Sequence, residues 1–319
     1  MEILIFGAGA VGLGLANCLI KSGNTVHIIG REETVSALSI DGLERTGLFG
    51  DFHAPPFSFS AYCSVEEPES GPYDYVLVCT KSFDTRAAGE TLAAAPAIRS
   101  DRTQFVLCQN GWGNAEAFSA FFPTEQIKAG RIITGFRRPK PNQVDITVHA
   151  DAVHLGSLYD DNLDSLEPLA KALEEGGLPS RITENIEKDL WAKMLYNCML
   201  NGLSTLYGVA YGYLGESVHT RDLMDTIAHE VFEVMQASGH STHWEKVEDY
   251  LKVFYGNQLP ATYRHEPSML QDIRAHKPTE IDALNGAVVA LGRKHGVPTP
   301  VNHTIQQMIH FLTERPKIV

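Results

Sequence analysis

The chain has no Cys-x-x-Cys pair, no apolar run approaching a membrane span and no excess of basic residues, and each absence removes a class of function. Its five cysteines (Cys18, Cys63, Cys79, Cys108 and Cys198) are odd in number and scattered. They argue against a disulfide framework and suit a reducing compartment, where most serve as small core residues. A transmembrane helix needs about 18 or more consecutive apolar residues, and none occurs. Glu2 and the early glycines interrupt any secretory leader, so the expected location is cytoplasmic. Lys and Arg number 26 against 39 Asp and Glu, a net charge of −13, and nucleic acid, which needs a basic surface, is excluded as a partner. Thirteen histidines form no metal motif. His229-Glu230 lacks the second His of H-E-x-x-H, and His240 with His243 has no carboxylate at ligand spacing, so no metal is expected. A Ser nucleophile elbow is also missing.

What is present begins almost at the first residue. Ile3-Leu4-Ile5-Phe6 reads as a buried strand and runs straight into Gly7-Ala8-Gly9-Ala10-Val11-Gly12. Leu13 to Lys21 then carries a helix-compatible pattern. A glycine-rich G-x-G-x-x-G turn is informative in this strand–turn–helix setting and weak outside it. Gly7 permits the tight turn, Gly9 lets the backbone approach a pyrophosphate, and Gly12 lets helix and strand pack closely. The pyrophosphate would rest on the free N–H groups at the helix start. Thr25 to Ile29 reads as the second strand. An acidic residue beyond it would bind the adenosine ribose of NAD, and an Arg would accommodate the extra phosphate of NADP. Gly30-Arg31 follows, so Arg31 favours NADP(H), while Glu32 and Glu33 keep NAD open.

Further strands are expected at Tyr75–Cys79, Gln104–Cys108, Ile127–Ile133, Val144–His149 and Val153–Gly156. Residues 40 to 72 read as an antiparallel excursion or loop, and Arg138 to Asn142 as a turn. Lys81 and Asn110 stand at the carboxyl ends of two strands, where ligands bind in open α/β sheets. Lys81 also fits a solvent-facing loop, and Asn110-Gly111 an ordinary turn. The alternation points to an α/β chain with an N-terminal Rossmann-type, doubly wound sheet over residues 1–183. From Thr183 strand signals vanish, and an all-helical C-terminal domain over 184–319 is expected. Its helices are placed at roughly 184–206, 219–238, 243–256, 279–295 and 300–313, with Thr183 as a helix cap. In the first of them Lys193, Asn197 and Asn201 are spaced by four and share one helix face with Ile186 and Leu190. A Lys and two amides on a partly apolar stripe suit the lining of a cleft; an exposed Lys with structural amides is the plainer alternative. Thr279 is expected to cap its helix, with Glu280 complementing the dipole in the first turn.

Taken together, these motifs resemble the ketopantoate reductase (2-dehydropantoate 2-reductase) family along essentially the whole chain. The resemblance rests on the glycine turn, Lys81, Gln109-Asn110-Gly111-Trp112-Gly113 and Leu190-Trp191-Ala192-Lys193 with Asn197 and Asn201. It continues through Ser268-Met269-Leu270-Gln271-Asp272 and Thr279-Glu280-Ile281-Asp282 with Asn285-Gly286. It implies NADPH-dependent reduction of 2-dehydropantoate (ketopantoate) to pantoate in pantothenate biosynthesis, with Lys193 as general acid and Glu280 as its partner. Asn197, Asn201 and Ser268 would bind the keto acid, Ser268 through the carboxylate, while Asn110 and Lys81 would contact the cofactor or position the site. Two departures stand out. Gly202 follows Asn201 where the family usually has Pro, and Tyr211-Gly212-Tyr213-Leu214 stands where it often has Asn-Gly-Glu-Leu. Another branched or larger 2-keto acid therefore remains open as substrate, as does a sensor that binds NADP without catalysis. A homodimer is open by analogy with other helical second domains.

Overall fold

The computed structural model describes residues 1–159 and 162–314, so the last five residues of the expected second domain lie outside it. The chain divides into two compact units, Met1–Gln109 with Asn114–Ile186, and Asn110–Gly113 with Glu187–Val319.

In the first unit the opening strand β1 (Glu2–Phe6) is followed by α1 (Ala10–Lys21), β2 (Thr25–Ile29) and α2 (Glu32–Asp41). Then come β3 (Leu43–Gly47), β4 (Phe52–Ala54), β5 (Ser60–Tyr62), β6 (Tyr75–Val78), α3 (Thr85–Ala93), β7 (Gln104–Leu107) and α4 (Asn114–Phe118). The unit is completed by β8 (Ile127–Arg131), β9 (Thr134–Lys140), β10 (Gln143–His149), β11 (Val153–Gly156), α5 (Glu167–Glu175) and β12 (Ser180–Ile182). Eight strands form one sheet in the order β12-β11-β8-β7-β6-β1-β2-β5. All its pairings are parallel except that of β11 with β8. A parallel sheet covered on both faces needs apolar side chains on both, which is why β1 reads as an unbroken run. Ile3 and Ile5 join one core with Leu13 and Ala16 of α1. Leu4 faces the other core, with Val76, Val78, Phe105 and Phe118.

The remaining strands form a second sheet, β4-β3-β10-β9. Residues 40 to 72 are thus only partly an antiparallel excursion: β3 and β4 pair antiparallel, but β5 returns to the main sheet parallel to β2. The expected turn at 138–142 is corrected more sharply. Arg138, Pro139 and Lys140 belong to β9, and the chain reverses only at Pro141-Asn142. Pro139 is tolerated because β9 is an edge strand, where a missing N–H interrupts no ladder.

The second unit is helical among its described residues: α6 (Ile186–Tyr207), α7 (Tyr211–Leu214), α8 (Val218–Ala237), α9 (Val247–Val253), α10 (Leu259–Ala261), α11 (Ser268–Arg274), α12 (Asn285–His295) and α13 (Pro300–Glu314). Trp191, Leu195, Cys198 and Met199 of α6 are fully buried in its core. A polar network fixes α6 against its neighbours. The Glu230 carboxylate of α8 accepts from the Val301 and Asn302 N–H groups, each at 2.9 Å, at the start of α13. An anion at a helix N-terminus complements the dipole. Asn302 Oδ1 accepts from Asn285 Nδ2 at 2.9 Å, and the same amide donates to the Cys198 carbonyl of α6 at 3.2 Å.

Three boundaries differ from expectation. Thr183 does not cap α6; its hydroxyl accepts from the Asn185 N–H at 3.0 Å, and the helix starts at Ile186. The helix expected at 243–256 begins at Val247 and runs into a π turn over Phe254–Gln258. Residues 279–284 form a separate 3₁₀ turn, Ile281–Ala283, before a break at Leu284 (φ −105°, ψ −106°), so Thr279 and Glu280 do not open α12. Among the described residues no helix is long and apolar enough to cross a membrane.

Candidate active site

The glycine turn of the first unit has the shape a dinucleotide requires. Gly7 adopts φ +112°, and a Cβ there would sit 2.7 Å from the Thr80 nitrogen at the end of β6. At Gly12 a Cβ would lie 2.1 Å from the Gly7 carbonyl oxygen. Neither position can carry a side chain. Gly9 is different: a Cβ there would meet nothing closer than the Cys79 carbonyl oxygen at 4.0 Å. It faces open space at the α1 N-terminus, where it is the N-cap without a side-chain cap. Two closed glycines and one open one match the roles a pyrophosphate site assigns to them. Ala8, Ala10 and Val11 complete the turn. Arg31, exposed, holds the N-cap position of α2. Lys81 precedes the turn Ser82–Asp84, and its carbonyl accepts from Gln109 Nε2 at 3.3 Å. The same amide reaches Thr80 Oγ1 at 3.2 Å and Thr85 Oγ1 at 2.9 Å, tying together the chain beyond β6 and β7.

The second unit brings three of the expected residues together through the short loop 110–113. Lys193 Nζ donates to Asn110 Oδ1 at 2.7 Å, and Asn110 Nδ2 donates to Glu280 Oε2 at 3.2 Å. A neutral amide thus has its carbonyl on the ammonium and its N–H on the carboxylate, the orientation that satisfies both charges. Glu280 is only 7% exposed, and burying a carboxylate is costly without such partners. Released from the capping role that spacing assigned it, Glu280 is placed by the turn Ile281–Ala283. Backbone contacts stitch that turn to the loop. Trp112 N–H donates to the Ala283 carbonyl at 3.0 Å. Gly111, at φ +91°, leaves no room for a side chain, since a Cβ would stand 2.4 Å from that same oxygen. The Trp112 ring packs on Trp191 at 4.7 Å and on His240 at 4.8 Å, which registers the loop against α6 two residues before Lys193.

Asn197 and Asn201 follow Lys193 on α6 at helical repeat spacing, and they are 9% and 8% exposed. Sequence spacing alone did not find the group that orients Asn201. Tyr211, nearly fully buried, donates its hydroxyl to Asn201 Oδ1 at 2.5 Å. Burial pushes the Tyr211 phenol upward, and that of Tyr196 up to about 12, so both stay protonated at neutral pH. With its oxygen taken, Asn201 presents N–H donors, which suits an anionic ligand. The Tyr211 ring lies 5.2 Å from His265, and its N–H donates to the His265 carbonyl at 3.0 Å. Ser268 opens α11 just beyond and is exposed; among the described residues its side chain makes no hydrogen bond. The signal for Tyr211 was its departure from the family pattern. Gly202 also has a local reason: a Cβ there would overlap Ile305 of α13 at 2.3 Å.

Similarity to known proteins extends over both units. Residues 3–159 match the family model "Ketopantoate reductase PanE/ApbA", and residues 185–313 match "Ketopantoate reductase PanE/ApbA C terminal". A 2-dehydropantoate 2-reductase of Aquifex aeolicus is 36% identical over 311 residues, covering 97% of this chain and 96% of that protein. Among solved structures, a 2-dehydropantoate 2-reductase from Geobacter metallireducens aligns with a TM-score of 0.86 at 29% identity, covering 97% of this chain and 99% of that one. A ternary structure of D-mandelate dehydrogenase with NADH and anilino(oxo)acetate aligns with a TM-score of 0.88 at 27% identity, covering 98% of each chain. With both halves of the chain matched and this level of identity over nearly its whole length, the chain belongs to the ketopantoate reductase family.

Proposed function

We propose that the chain catalyses NADPH-dependent reduction of 2-dehydropantoate to pantoate, a step of pantothenate and hence coenzyme A precursor synthesis, in the cytoplasm. The observation that carries this reading is the hydrogen-bonded series Lys193–Asn110–Glu280. NADPH, when bound, would supply the hydride for the keto carbon. As negative charge grows on the carbonyl oxygen, the Lys193 ammonium neutralises it and donates the proton that completes the alcohol. Asn110 holds the ammonium in place, and Glu280, acting through that amide, keeps positive charge favourable there. Asn197 and Asn201 lie one and two helical turns further along α6, where their amides can orient the keto acid, and Ser268 can receive its carboxylate. In the first unit, Gly7 to Gly12 hold the pyrophosphate, Arg31 the adenosine end and Lys81 the edge of the cofactor site.

Tyr211 in place of an amide favours one second reading, a bulkier 2-keto acid as preferred substrate. The similar D-mandelate dehydrogenase was solved with an aryl-bearing oxo acid. Loss of NADPH absorbance with 2-dehydropantoate, set against branched and aryl 2-keto acids, tests both. The highest kcat/KM on 2-dehydropantoate is the expected result, and a higher value on an aryl keto acid transfers the assignment. Tight NADPH binding without turnover of any keto acid contradicts both and leaves a sensor.

A further inference from the structure

Arg138 was expected in a turn, yet it sits in β9 with its guanidinium on the glycine turn. Nη1 donates to the Ala8 carbonyl at 2.9 Å and to Thr34 Oγ1, in the first turn of α2, at 3.3 Å. Strand alternation explains how it gets there, because Phe136 and Arg138 share one face of β9. The Phe136 ring rests directly over Gly14 of α1, where a Cβ would lie 2.4 Å from it. Two residues on, the same face reaches the start of that helix. Arg137, on the opposite face, turns away to pair with Asp145 at 2.8 Å.

The two turns that Arg138 joins are those that flank the adenosine ribose in a Rossmann-type site. They lie close together: a Cβ on Gly30 would stand 2.7 Å from the Ala8 Cβ. Thr34 N–H donates to the Arg31 carbonyl at 2.9 Å, so the hydroxyl that Arg138 holds belongs to the same turn as Arg31. Both bonds leave from Nη1, and among the described residues Nη2 and Nε make none. That leaves one edge of a planar donor fork for an anion. Glu32 and Glu33, exposed in the first turn of α2, repel a phosphate there, and one Arg must overcome two carboxylates. A second guanidinium reverses that balance.

We propose that Arg138 is a cofactor-specificity residue, a second cationic ligand that together with Arg31 binds the phosphate on the adenosine ribose 2′ position of NADP(H). The proposal rests on the reading of the first unit as a dinucleotide site. NADPH and NADH differ only in that phosphate, so fluorescence titration of both with the unaltered protein and with Arg138→Met and Arg138→Lys tests it without turnover. Arg138→Met weakens NADPH binding about tenfold or more, the scale of one charge-assisted phosphate contact, and changes NADH binding far less; Arg138→Lys restores part of the difference. Equal weakening for both cofactors makes Arg138 a structural strap and overturns the proposal, as does NADPH affinity unchanged in Arg138→Met. Equal affinity of the unaltered protein for both cofactors overturns the phosphate site alone and leaves the keto acid reductase reading standing. Absence of binding to either removes the dinucleotide reading itself.

Discussion

Replacing Asn110 with Ala deletes the amide between Lys193 and Glu280 while leaving both charged groups in place. The substitution removes the Lys193 contact at 2.7 Å and the Glu280 contact at 3.2 Å. A hydrogen bond to a charged group contributes about 1.5–3 kcal/mol, and the shorter contact to the ammonium is the stronger. If that bond is what aims Nζ at the substrate oxygen, its loss appears in the transition state, and turnover falls about 10- to 150-fold. The ceiling is the whole contribution of a positioned acid, about 10²–10⁴-fold. The assay pairs kcat, from NADPH absorbance at saturating keto acid, with the NADPH dissociation constant from fluorescence. A fall in kcat with nearly unchanged cofactor affinity is expected. Unchanged kcat refutes the reasoning. So does a loss of cofactor affinity as large as the loss of kcat, which would make Asn110 a nicotinamide ligand instead.

Gly111→Ala forces a Cβ within 2.4 Å of the Ala283 oxygen at φ +91°. It should destabilise the protein by about 2–4 kcal/mol and lower kcat by displacing Asn110; a denaturation midpoint equal to that of the unaltered protein speaks against this. Tyr211→Phe removes the hydroxyl on Asn201 Oδ1 and should raise KM for the keto acid by about 3- to 10-fold, the scale of one hydrogen bond, with KM for NADPH unmoved. Equal rises in both would show general loosening instead. Burial lowers the His265 pKa against the opposing pull of Glu266, so its folded value lies below its unfolded one. Between the two values the unfolded chain binds the proton first, and stability falls with pH from about 6.5 downward, by at most about 1.4 kcal/mol per pH unit for this group. Denaturant midpoints for His265→Gln measured across that range should decline less steeply; parallel curves contradict the assignment.

How much of this was legible in the sequence depended on whether local pattern or tertiary packing decides a position. Strand β1 and the glycine turn were legible because a strand buried on both faces must be continuously apolar and only glycine fits at Gly7 and Gly12. The stripe Lys193, Asn197 and Asn201 was legible because helical period fixes it. Arg138 was not: Pro139, Pro141 and Asn142 around it signal a turn, and only the edge position of β9 makes a strand with Pro tolerable. Spacing alone reads Glu280 as a helix-dipole residue, because Thr-Glu before an apolar stretch is a good capping signal, and only the family resemblance points to a role beside Lys193. The break at Leu284, one residue past the Ala283 carbonyl that accepts from Trp112 N–H, has no local signature. Tyr211 orients Asn201 from ten residues away through a side chain that spacing does not link to it.

Turnover and NADPH binding by Lys193→Ala test the central assignment most directly. If Lys193 protonates the keto oxygen, kcat for 2-dehydropantoate falls by about 10²-fold or more, while the NADPH dissociation constant stays nearly that of the unaltered protein. Turnover retained in Lys193→Ala, with NADPH still bound, would contradict the assignment of the proton donor.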